Sequence, residues 1–377
     1  MKICWWTPGP TSHQTALVTA LRQLGHDVEV CYFHGKYGEG RRKLGWRDPE
    51  LHGWEHYVTG RSAARKAVPD FQERVQMVPT FFNLTSWKLI LWCVWRRRPW
   101  FSITEGTRGR WFMKPLFRLF CWFVDRFAIH HFAEGGTYTR QQFVDGGVRA
   151  EKVSQFAYAT MRPPGKKFDV SGLKFDVEKN PEPQTPNLKP QTPNLKPSPP
   201  HEAGTVFVFA GEFCARKAVD VIAAAWKRLQ PEFPSARLVL AGGGKLVGLF
   251  EGLPGVDYVG AVRQEDIYDV IMRGDVMLLP SRYDAWGAAL AEGAMAGLAM
   301  VGSDRTGAAD LLIEDGVNGY KVKAGDVDDL VRVMRLYAAD RELAGKHGAK
   351  AKVSTEWTSG ENLAKIVTEG LVGGYDL

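Results

Sequence analysis

The chain has 377 residues with a formal net charge of +7, and 45% of its residues are hydrophobic and 12% aromatic. This length exceeds the usual size of one hydrophobic core, so it predicts a globular protein of two domains. The five scattered cysteines argue against a zinc site or a short disulfide framework. Together with the lack of a signal peptide or of an apolar stretch of roughly 20 residues, they indicate a cytoplasmic protein without a membrane span.

The surplus of basic residues limits the kinds of molecule that the protein is expected to bind. It suits a phosphate-bearing substrate or an anionic membrane surface. Because the sequence has neither zinc-finger spacing nor an RNA-recognition signature, we expect no nucleic-acid partner.

The first half of the chain alternates short apolar runs with helical patterns, which is typical of a parallel sheet covered by helices. Strands are predicted at "KICWW" (2–6), "VEVCYF" (28–33), "WFSITEG" (100–106) and "FAIHHFA" (127–133). Helices are predicted over about residues 13–24 and 110–124 and from Thr137 onward. Residues 34–74 carry little readable signal.

Tryptophan and arginine gather in two segments of this half, "WKLILWCVWRRRPW" (87–100) and "KPLFRLFCWF" (114–123). One interpretation is an interfacial surface that holds the protein on an anionic membrane leaflet beside a lipid-linked acceptor. The other is a buried helix with a basic end, because "KLILWCVW" is apolar nearly all round.

A proline-rich segment from Asp169 to Pro200 separates the two halves and contains "PQTPNLK" twice, at 183–189 and 190–196. Proline at this density favours an extended, exposed linker. The repeat is either a binding motif or a duplication within a tolerant connection.

The second half contains five short apolar runs, most of them followed by a helical pattern. They are "TVFVFAG" (205–211), "RLVLAG" (237–242), "DYVGAV" (257–262), "DVMLLPS" (275–281) and "LAMVGS" (298–303). Strands that alternate with helices form a parallel sheet, and such a sheet binds ligands beyond the carboxyl ends of its strands. We therefore predict an α/β protein of two Rossmann-like, doubly wound domains facing a central cleft.

One helix, predicted from Trp286 to Ala296, carries a single carboxylate at Glu292. The residues three and four positions away on either side are all alanine or methionine, so Glu292 does not belong to a polar face. A buried carboxylate is costly unless it is hydrogen-bonded. The position predicts a partner that either the protein or a hydroxyl-rich ligand supplies.

The second half resembles the retaining GT-B glycosyltransferases of the Glu-x7-Glu family, which are the family 4-like members of glycosyl transferases group 1. The resemblance covers about residues 205–340, and a looser match lies at "DGGVRAEKVSQFAYA" (145–159). Four segments in family order carry it: "FAGEFCARKAVDVIAAAW" (209–226), "LVLAGGGK" (238–245), "PSRYDAWGAALAEGAMAG" (280–297) and "SDRTGAADLLIEDGVNGYKV" (303–322).

The resemblance implies roles for the acidic pair of the motif. Glu292 would hold the ribose hydroxyls of a nucleotide sugar, and Asp284, where the family has glutamate, would contact the donor sugar. Eight helical residues span about 12 Å, roughly the distance from ribose to hexose across a diphosphate. Backbone amides near Trp286, Gly287 and Ala288 would meet the phosphate oxygens. The alternatives are a helix cap for Asp284 and an internal salt bridge for Glu292.

The resemblance also places the diphosphate beside two basic residues. Lys217 occupies the position of the family's diphosphate-binding lysine, six residues after Gly211. The family's usual arginine is replaced by Glu212, so Arg216 would supply the second positive charge on the departing diphosphate. Ordinary surface charges are the alternative. In "AGGGK", Gly243 either lets the backbone approach the donor or only forms a tight turn.

Two residues of the first half complete the set of candidates. Gly9, in "TPGPTSH" (7–13), lies in the first strand-to-helix turn, where the family approaches phosphate and acceptor. Glu105 ends a predicted strand where many relatives place a histidine near the donor sugar. A helix cap is the alternative for Glu105.

The implied activity is transfer of a sugar from a nucleoside-diphosphate sugar to a hydroxyl of a glycan, a lipid-linked glycan or a protein-linked glycan. Anomeric configuration would be retained, and neither a metal nor another cofactor would take part. One alternative is a nucleotide-sugar epimerase of the same fold. Another is a catalytically inactive nucleotide-sugar-binding scaffold, which the departures at Asp284 and Glu212 permit.

The predicted domains are an acceptor-side domain (1–168), the linker (169–200) and a nucleotide-sugar-binding domain (201–355). The remaining residues, 356–377, are expected to form a helix that packs back on the first domain. Its apolar positions recur at helical spacing: Leu363, Ile366, Val367 and Leu371.

Overall fold

The computed structural model describes residues 1–33, 51–79, 84–105, 114–160, 204–262 and 266–373. Two compact units are evident. The N-terminal unit comprises residues 1–161 together with 357–377, and the C-terminal unit comprises residues 162–356. The proline-rich linker of the sequence analysis lies outside the described residues.

The N-terminal unit contains a parallel sheet in the order β3-β2-β1-β4-β5-β6-β7. The strand order reverses between β1 and β4, as in doubly wound folds. Its strands are β1 (Lys2–Thr7), β2 (Asp27–Tyr32), β3 (Glu55–Tyr57), β4 (Val75–Pro79), β5 (Trp100–Glu105), β6 (His131–Glu134) and β7 (Val153–Phe156).

Most helices of this unit connect successive strands, and one comes from the far end of the chain. Thr11 caps α1, because its hydroxyl accepts a hydrogen bond from the Gln14 amide at 3.3 Å. The helices are α1 (Ser12–Gln23), α2 (Arg61–Ala67), α3 (Leu84–Trp95), α4 (Lys114–Phe127), α5 (Thr137–Asp145) and, after the C-terminal unit, α12 (Gly360–Gly373).

Helix α12 packs against α1. Leu363, Val367 and Leu371 lie on its buried face and are fully enclosed. The two ends of the chain are also joined by a hydrogen bond of 2.9 Å between His26 Nε2 and Thr368 Oγ1. The N-terminal unit is therefore built from both ends of the sequence.

The C-terminal unit contains a second parallel sheet, in the order β10-β9-β8-β11-β12-β13, and its strand order reverses between β8 and β11. The strands are β8 (Val206–Ala210), β9 (Arg237–Ala241), β10 (Val256–Gly260), β11 (Val276–Leu279), β12 (Ala299–Ser303) and β13 (Gly319–Val322). The helices are α6 (Val219–Leu229), α7 (Ile267–Ile271), α8 (Ala288–Ala296), α9 (Gly307–Leu312), α10 (Val327–Ala339) and α11 (Arg341–Thr355).

Two predicted elements differ from the structure in their bounds, and one region without a predicted element contains elements. The strand predicted over 127–133 begins only at His131, because Phe127 is the last residue of α4. The helix predicted from Trp286 begins at Ala288. The region with little signal holds β3 and α2, and β4 follows it; β3 has three residues, too few to show an alternating pattern.

Candidate active site

The carboxyl ends of β8 and β11 meet where the strand order of the C-terminal sheet reverses. The two strands pair in parallel, with Val276 opposite Phe207. The segment that follows β8 (211–217) and the segment that follows β11 (280–287) therefore emerge side by side. In doubly wound sheets this edge is the usual place for a ligand.

An ion pair joins these two segments. Lys217 Nζ contacts Asp284 Oδ2, and both side chains are largely shielded from solvent, with exposed fractions of 14% and 13%. The guanidinium of Arg216 lies 3.7 Å from Asp284 Oδ1 and is 41% exposed. Two cations thus share one carboxylate, and the candidate diphosphate groups and the candidate sugar-contacting residue form one cluster.

A second ion pair fixes the same segments to each other. Arg282 binds Asp220 through both carboxylate oxygens, at 2.7 and 2.6 Å, and donates a hydrogen bond to the Ala215 carbonyl at 2.8 Å. The Arg282 amide also donates to the Arg216 carbonyl at 2.9 Å. Bidentate pairs of this kind hold geometry as well as charge, so the backbone around Arg216 is positioned from the β11 side.

Asp284 is not a cap of α8. The helix begins at Ala288 with Gly287 as its N-cap, and no side chain caps it. The backbone of Asp284 instead pairs with the segment after β12: its amide donates to the Arg305 carbonyl at 3.0 Å, and its carbonyl accepts from the Gly307 amide at 3.1 Å. Three segments at the sheet edge thus set the position of this carboxylate.

Gly287 is required by the turn that leads into α8. Its φ is +95°, and a Cβ there would lie 2.6 Å from Thr306 Cγ2 and 2.8 Å from Leu279 Cδ2. The preceding Trp286 is 2% exposed, and its carbonyl accepts a hydrogen bond of 2.6 Å from the Ala308 amide. Of the three amides predicted to face phosphate, only that of Ala288 therefore belongs to the first turn of the helix.

The glycines after β9 are explained by contact between loops. A Cβ at Gly242 would lie 1.9 Å from the Gly211 carbonyl oxygen, and one at Gly244 would lie 2.5 Å from the Phe213 carbonyl oxygen. The Phe213 amide in turn donates to the Gly243 carbonyl at 2.9 Å. This backbone contact accounts for Gly242 and Gly244 through packing and leaves Gly243 as a candidate for donor contact.

Glu292 lies inside the unit, with 8% of its surface exposed. The phenol of Tyr268, on α7, lies close to it and is itself 3% exposed. Burial raises the pKa of Tyr268 above its usual range, and the Glu292 charge raises it further. Tyr268 is thus a neighbour of Glu292 that sequence reasoning missed, because nothing in "IYDVI" (267–271) points from α7 toward α8.

Serine and threonine hydroxyl groups also lie at the same edge of the sheet. Ser303 Oγ donates to the Ser281 carbonyl at 2.5 Å and lies 3.0 Å from Thr306 Oγ1. Ser281 Oγ is buried and makes no hydrogen bond to another described residue. The signal was present in the sequence, since both serines end predicted strands, but their mutual contact depends on strand order.

Glu105 and Gly9 belong to the N-terminal unit. Glu105 ends β5 and lies in register with Glu134 at the end of β6. The Tyr158 hydroxyl donates a hydrogen bond to Glu105 Oε1. The His13 ring centroid is 5.6 Å from that of Tyr158, and His13 Nδ1 donates to the Ala159 carbonyl at 3.1 Å. Glu105 thus lies beside Glu134 and Tyr158, and Tyr158 in turn contacts His13 of α1.

Glu134 is the unpredicted member of this group. Burial raises its pKa well above the usual range, and the nearby Glu105 charge raises it further. Two carboxyl groups this close do not readily carry two negative charges. Glu134 therefore keeps a proton at pH values where an exposed glutamate has lost it.

Relative to the unchanged protein, Glu134→Gln is expected to be stabilised more at pH 8 than at pH 5. The folded chain holds a proton on Glu134 that the unfolded chain releases above about its ordinary pKa of 4.5. Stability consequently falls as the pH rises through this window. Melting temperatures of Glu134→Gln and the unchanged protein across pH 5 to 8 measure the effect.

The exposed Glu151, in the short helix before β7, provides the control, and Glu151→Gln should give no such pH-dependent difference. Burial lowers the pKa of His130 to about 4 and that of His131 to about 3. Their contribution to the pH profile is shared by all three proteins and cancels in the comparison. A constant melting difference for Glu134→Gln would contradict the retained proton.

Among the described residues, no three His, Cys, Asp or Glu side chains are grouped so that they could hold a metal ion. The five cysteines all lie within the described residues, and none forms a disulfide.

Among known proteins, residues 204–340 match the family model described as glycosyl transferases group 1. Over 155 residues the chain is 28% identical to the sulfoquinovosyl transferase SQD2 of Arabidopsis thaliana, a match that covers 40% of this chain and 29% of that protein. The chain thus spans less than a third of the length of this curated relative.

Two solved structures resemble nearly the whole chain. The Anabaena protein HepE, solved with UDP and glucose, has a TM-score of 0.68 at 15% identity, covering 99% of this chain and 100% of its own. Sucrose-phosphate synthase of Thermosynechococcus elongatus has a TM-score of 0.64 at 13% identity, covering 100% of this chain and 99% of its own. The likeness shows the fold, and the predicted α/β class with two parallel sheets of the GT-B type is confirmed.

Proposed function

We propose that this chain, whose residues 204–340 match the model of glycosyl transferases group 1, moves a sugar from a nucleoside-diphosphate sugar to an acceptor hydroxyl. One observation carries the proposal. At the switch point of the C-terminal sheet, Lys217 and Arg216 lie beside Asp284, at the start of the helix that bears Glu292. That HepE was solved with UDP and glucose supports a uridine nucleotide as the donor's base and phosphates.

The proposed reaction requires the protein to stabilise the leaving group. As the glycosidic bond breaks, negative charge grows on the diphosphate, and groups that face this charge lower the barrier. Lys217 is the better placed of the two cations, because its ammonium is shielded from water and fixed by Asp284. Arg216 is more exposed and can follow the phosphate as it departs.

Asp284 has two tasks in this proposal. It orients Lys217 through their ion pair, and its second oxygen, which faces Arg216 at 3.7 Å, is within reach of a donor hydroxyl bound at the same edge. The shorter side chain, compared with the glutamate of the family pattern, keeps the carboxylate close to Lys217. The backbone hydrogen bonds to Arg305 and Gly307 restrict its movement.

Glu292 is the proposed ribose group. Its burial at 8% exposure makes a charge-assisted hydrogen bond to a hydroxyl strong, because little water competes. Tyr268, on α7, lies near enough for the Glu292 charge to raise its pKa. Gly211, Gly243 and Ala288 would present backbone rather than side chains to the phosphates.

Replacing Glu292 with glutamine should weaken nucleotide binding by about 1 to 3 kcal/mol and leave the fold intact, since a neutral amide replaces the charged acceptor. Calorimetric titration with UDP measures the loss. The control is Glu342→Gln, which removes a carboxylate that is 78% exposed on α11. Equal affinity of both variants and the unchanged protein would refute the ribose role.

We further propose that transfer proceeds without a divalent metal, because Lys217 and Arg216 supply the positive charge that a metal otherwise places on a diphosphate. Chelator should therefore leave the initial rate unchanged. Loss of activity with chelator, restored by Mg²⁺, would show that the two side chains do not suffice. Measuring UDP release with and without chelator, after dialysis against it, decides the question.

Retention of anomeric configuration is the remaining mechanistic proposal. It rests on the Glu-x7-Glu resemblance, with Asp284 and Glu292 at the two acidic positions. Proton NMR of the first product formed, before any mutarotation, gives its configuration directly. An inverted product would remove the chain from the retaining class while leaving glycosyl transfer in place.

The acceptor would be engaged by the N-terminal unit, where Glu105, Glu134 and Tyr158 offer hydroxyl-binding oxygens around β5 and β6. Gly9 lies in the first strand-to-helix turn of the same sheet. A glycan, free or linked to lipid or protein, fits this class of groups. A cytoplasmic location accords with five free cysteines.

The activity test begins with thermal-shift screening of nucleoside diphosphates and their sugars, followed by incubation of each stabilising donor with a panel of glycan acceptors. Transfer predicts UDP release together with a heavier acceptor. A new nucleotide sugar formed without acceptor would identify an epimerase. Donor binding without turnover on any acceptor would identify a scaffold, and either result would overturn the proposal.

A further inference from the structure

Two neighbouring helices of the N-terminal unit expose large apolar side chains. On α3, Leu84, Leu91 and Trp95 are seven and four residues apart and share one face; Leu84 and Trp95 are 69% and 74% exposed. On α4, the exposed residues recur every three positions, at Leu116, Leu119 and Trp122. We call these six residues the tryptophan surface.

The opposite faces of both helices enter the core of the unit, where Leu89 and Ile90 of α3 and Phe120 and Val124 of α4 are buried. The helices touch through Trp87, whose ring centroid lies 5.9 Å from that of Phe120. Since α3 leads from β4 to β5 and α4 from β5 to β6, right-handed crossovers put both on one face of the sheet. Their outward faces therefore form one continuous surface.

The charged side chains described on the two helices that carry the tryptophan surface are mainly basic. Among the side chains that the structure describes on α3, on α4 and directly after α3, the exposed basic ones are Lys88, Arg96, Arg97, Arg98, Arg118 and Arg126. Helix α3 contains no acidic residue, and the one acidic residue of α4, Asp125, is bound to Arg149 at 3.1 Å. The Arg96 guanidinium lies 4.5 Å from the Trp95 ring centroid. Within the described parts of α3 and α4, exposed apolar groups and cations thus occupy the same face.

We propose that the tryptophan surface binds an anionic lipid bilayer. Tryptophan is favoured at the boundary between water and acyl chains, and leucines beside it can enter the apolar layer. Basic residues near an anionic leaflet each contribute about 1 kcal/mol of attraction. Among the described residues, no helix is long and apolar enough to cross a membrane, so α3 and α4 would lie along the surface.

A second copy of the chain is a poorer occupant of the same face. Two tryptophan surfaces brought together would set six cations against six cations at close range. Like charges at an interface disfavour association. A bilayer that contains acidic lipids can bind the apolar side chains in its acyl-chain region and the basic side chains at its negatively charged surface.

The test is co-sedimentation with sucrose-loaded vesicles of phosphatidylcholine alone or mixed equally with phosphatidylglycerol. The unchanged protein should bind the mixed vesicles, and binding should weaken as salt is raised. Trp95→Ala/Trp122→Ala should lower the bound-to-free ratio about 10-fold or more through the loss of two interfacial anchors. Arg96→Gln/Arg98→Gln should lower it about 30-fold, the size expected from losing two charges.

Matched controls lie on the C-terminal unit, where Leu249 and Leu336 are exposed apolar residues and Arg228 and Lys346 are exposed basic ones. Leu249→Ala/Leu336→Ala and Arg228→Gln/Lys346→Gln should bind like the unchanged protein. Circular dichroism and melting temperature establish that each variant folds. This readout does not depend on catalysis, so it separates the membrane proposal from the proposed activity.

Results of two kinds, one from vesicle binding and one from light scattering, would overturn the proposal. The first is failure of the unchanged protein to bind mixed vesicles, or equal binding by the surface variants and the controls. The second is a dimer in light scattering that Trp95→Ala/Trp122→Ala dissociates, because it would assign the surface to a second copy of the chain.

Discussion

Replacing Lys217 with alanine is expected to lower turnover about 100-fold while changing donor affinity much less. The ammonium meets the diphosphate most strongly when charge has grown on the leaving group. Initial rates at varied donor concentration give kcat and KM separately. The control is Lys227→Ala, which removes an exposed lysine from the last turn of α6.

A further variant is needed to separate a structural effect of Lys217→Ala from a catalytic one, because Lys217→Ala leaves the largely buried carboxylate of Asp284 without its main partner. Lys217→Ala/Asp284→Ala removes both charges. Because Asp284 is itself a proposed donor contact, Asp284→Ala alone is the reference for the double variant. If the defect of Lys217→Ala were only structural, the double variant and Asp284→Ala would have equal turnover. Lower turnover in the double variant than in Asp284→Ala, at a recovered melting temperature, supports the leaving-group role of Lys217, whereas equal proportional losses in kcat/KM and donor affinity would indicate uniform binding.

The second large effect is expected at α12. Leu363→Ala should destabilise the protein by about 2 to 5 kcal/mol, because it opens a cavity at a fully enclosed position between α12 and its neighbours. Chemical denaturation gives the free energy of unfolding. Glu369→Ala changes an exposed residue of the same helix and should be nearly neutral. Similar small effects at both positions would contradict the packing of α12 in the N-terminal unit.

Two deletions provide a further test of the packing of α12. Removal of residues 358–377 should lower melting temperature and transfer rate severely, since it uncovers the surface on which α12 packs. Removal of one "PQTPNLK" unit should matter little, because a twofold change in loop length alters closure entropy by about 0.6 kcal/mol. A harmful repeat deletion beside a silent tail deletion would make the linker the functional element.

Much of the architecture could be predicted from the sequence, because parallel strands are buried on both faces and appear as short apolar runs. The runs ending at Ala210, Leu279 and Ser303 show this clearly. The apolar pattern predicts the start of β6 too early, at Phe127, because this residue continues the pattern although it is the last residue of α4. Local pattern alone could not distinguish the end of an amphipathic helix from the start of a strand.

The candidate site was predictable where strand ends carry the chemistry. Lys217 and Asp284, 67 residues apart, follow β8 and β11, and the structure brings them into contact. Tyr268 and Glu134 were not predictable in the same way. What distinguishes each of them is burial next to a particular carboxylate, and that depends on how elements distant in sequence pack.

The position of α12 bears on how the chain folds during synthesis. Residues 1–161 leave the ribosome first, but the helix that covers α1 follows roughly 200 residues later. At about 5 to 20 residues per second, this delay is about 10 to 40 s. During that time the C-terminal unit can be completed while an apolar face of α1 still awaits its partner. The half of the protein made first is therefore the half finished last, and it is the one exposed to chaperones and to aggregation.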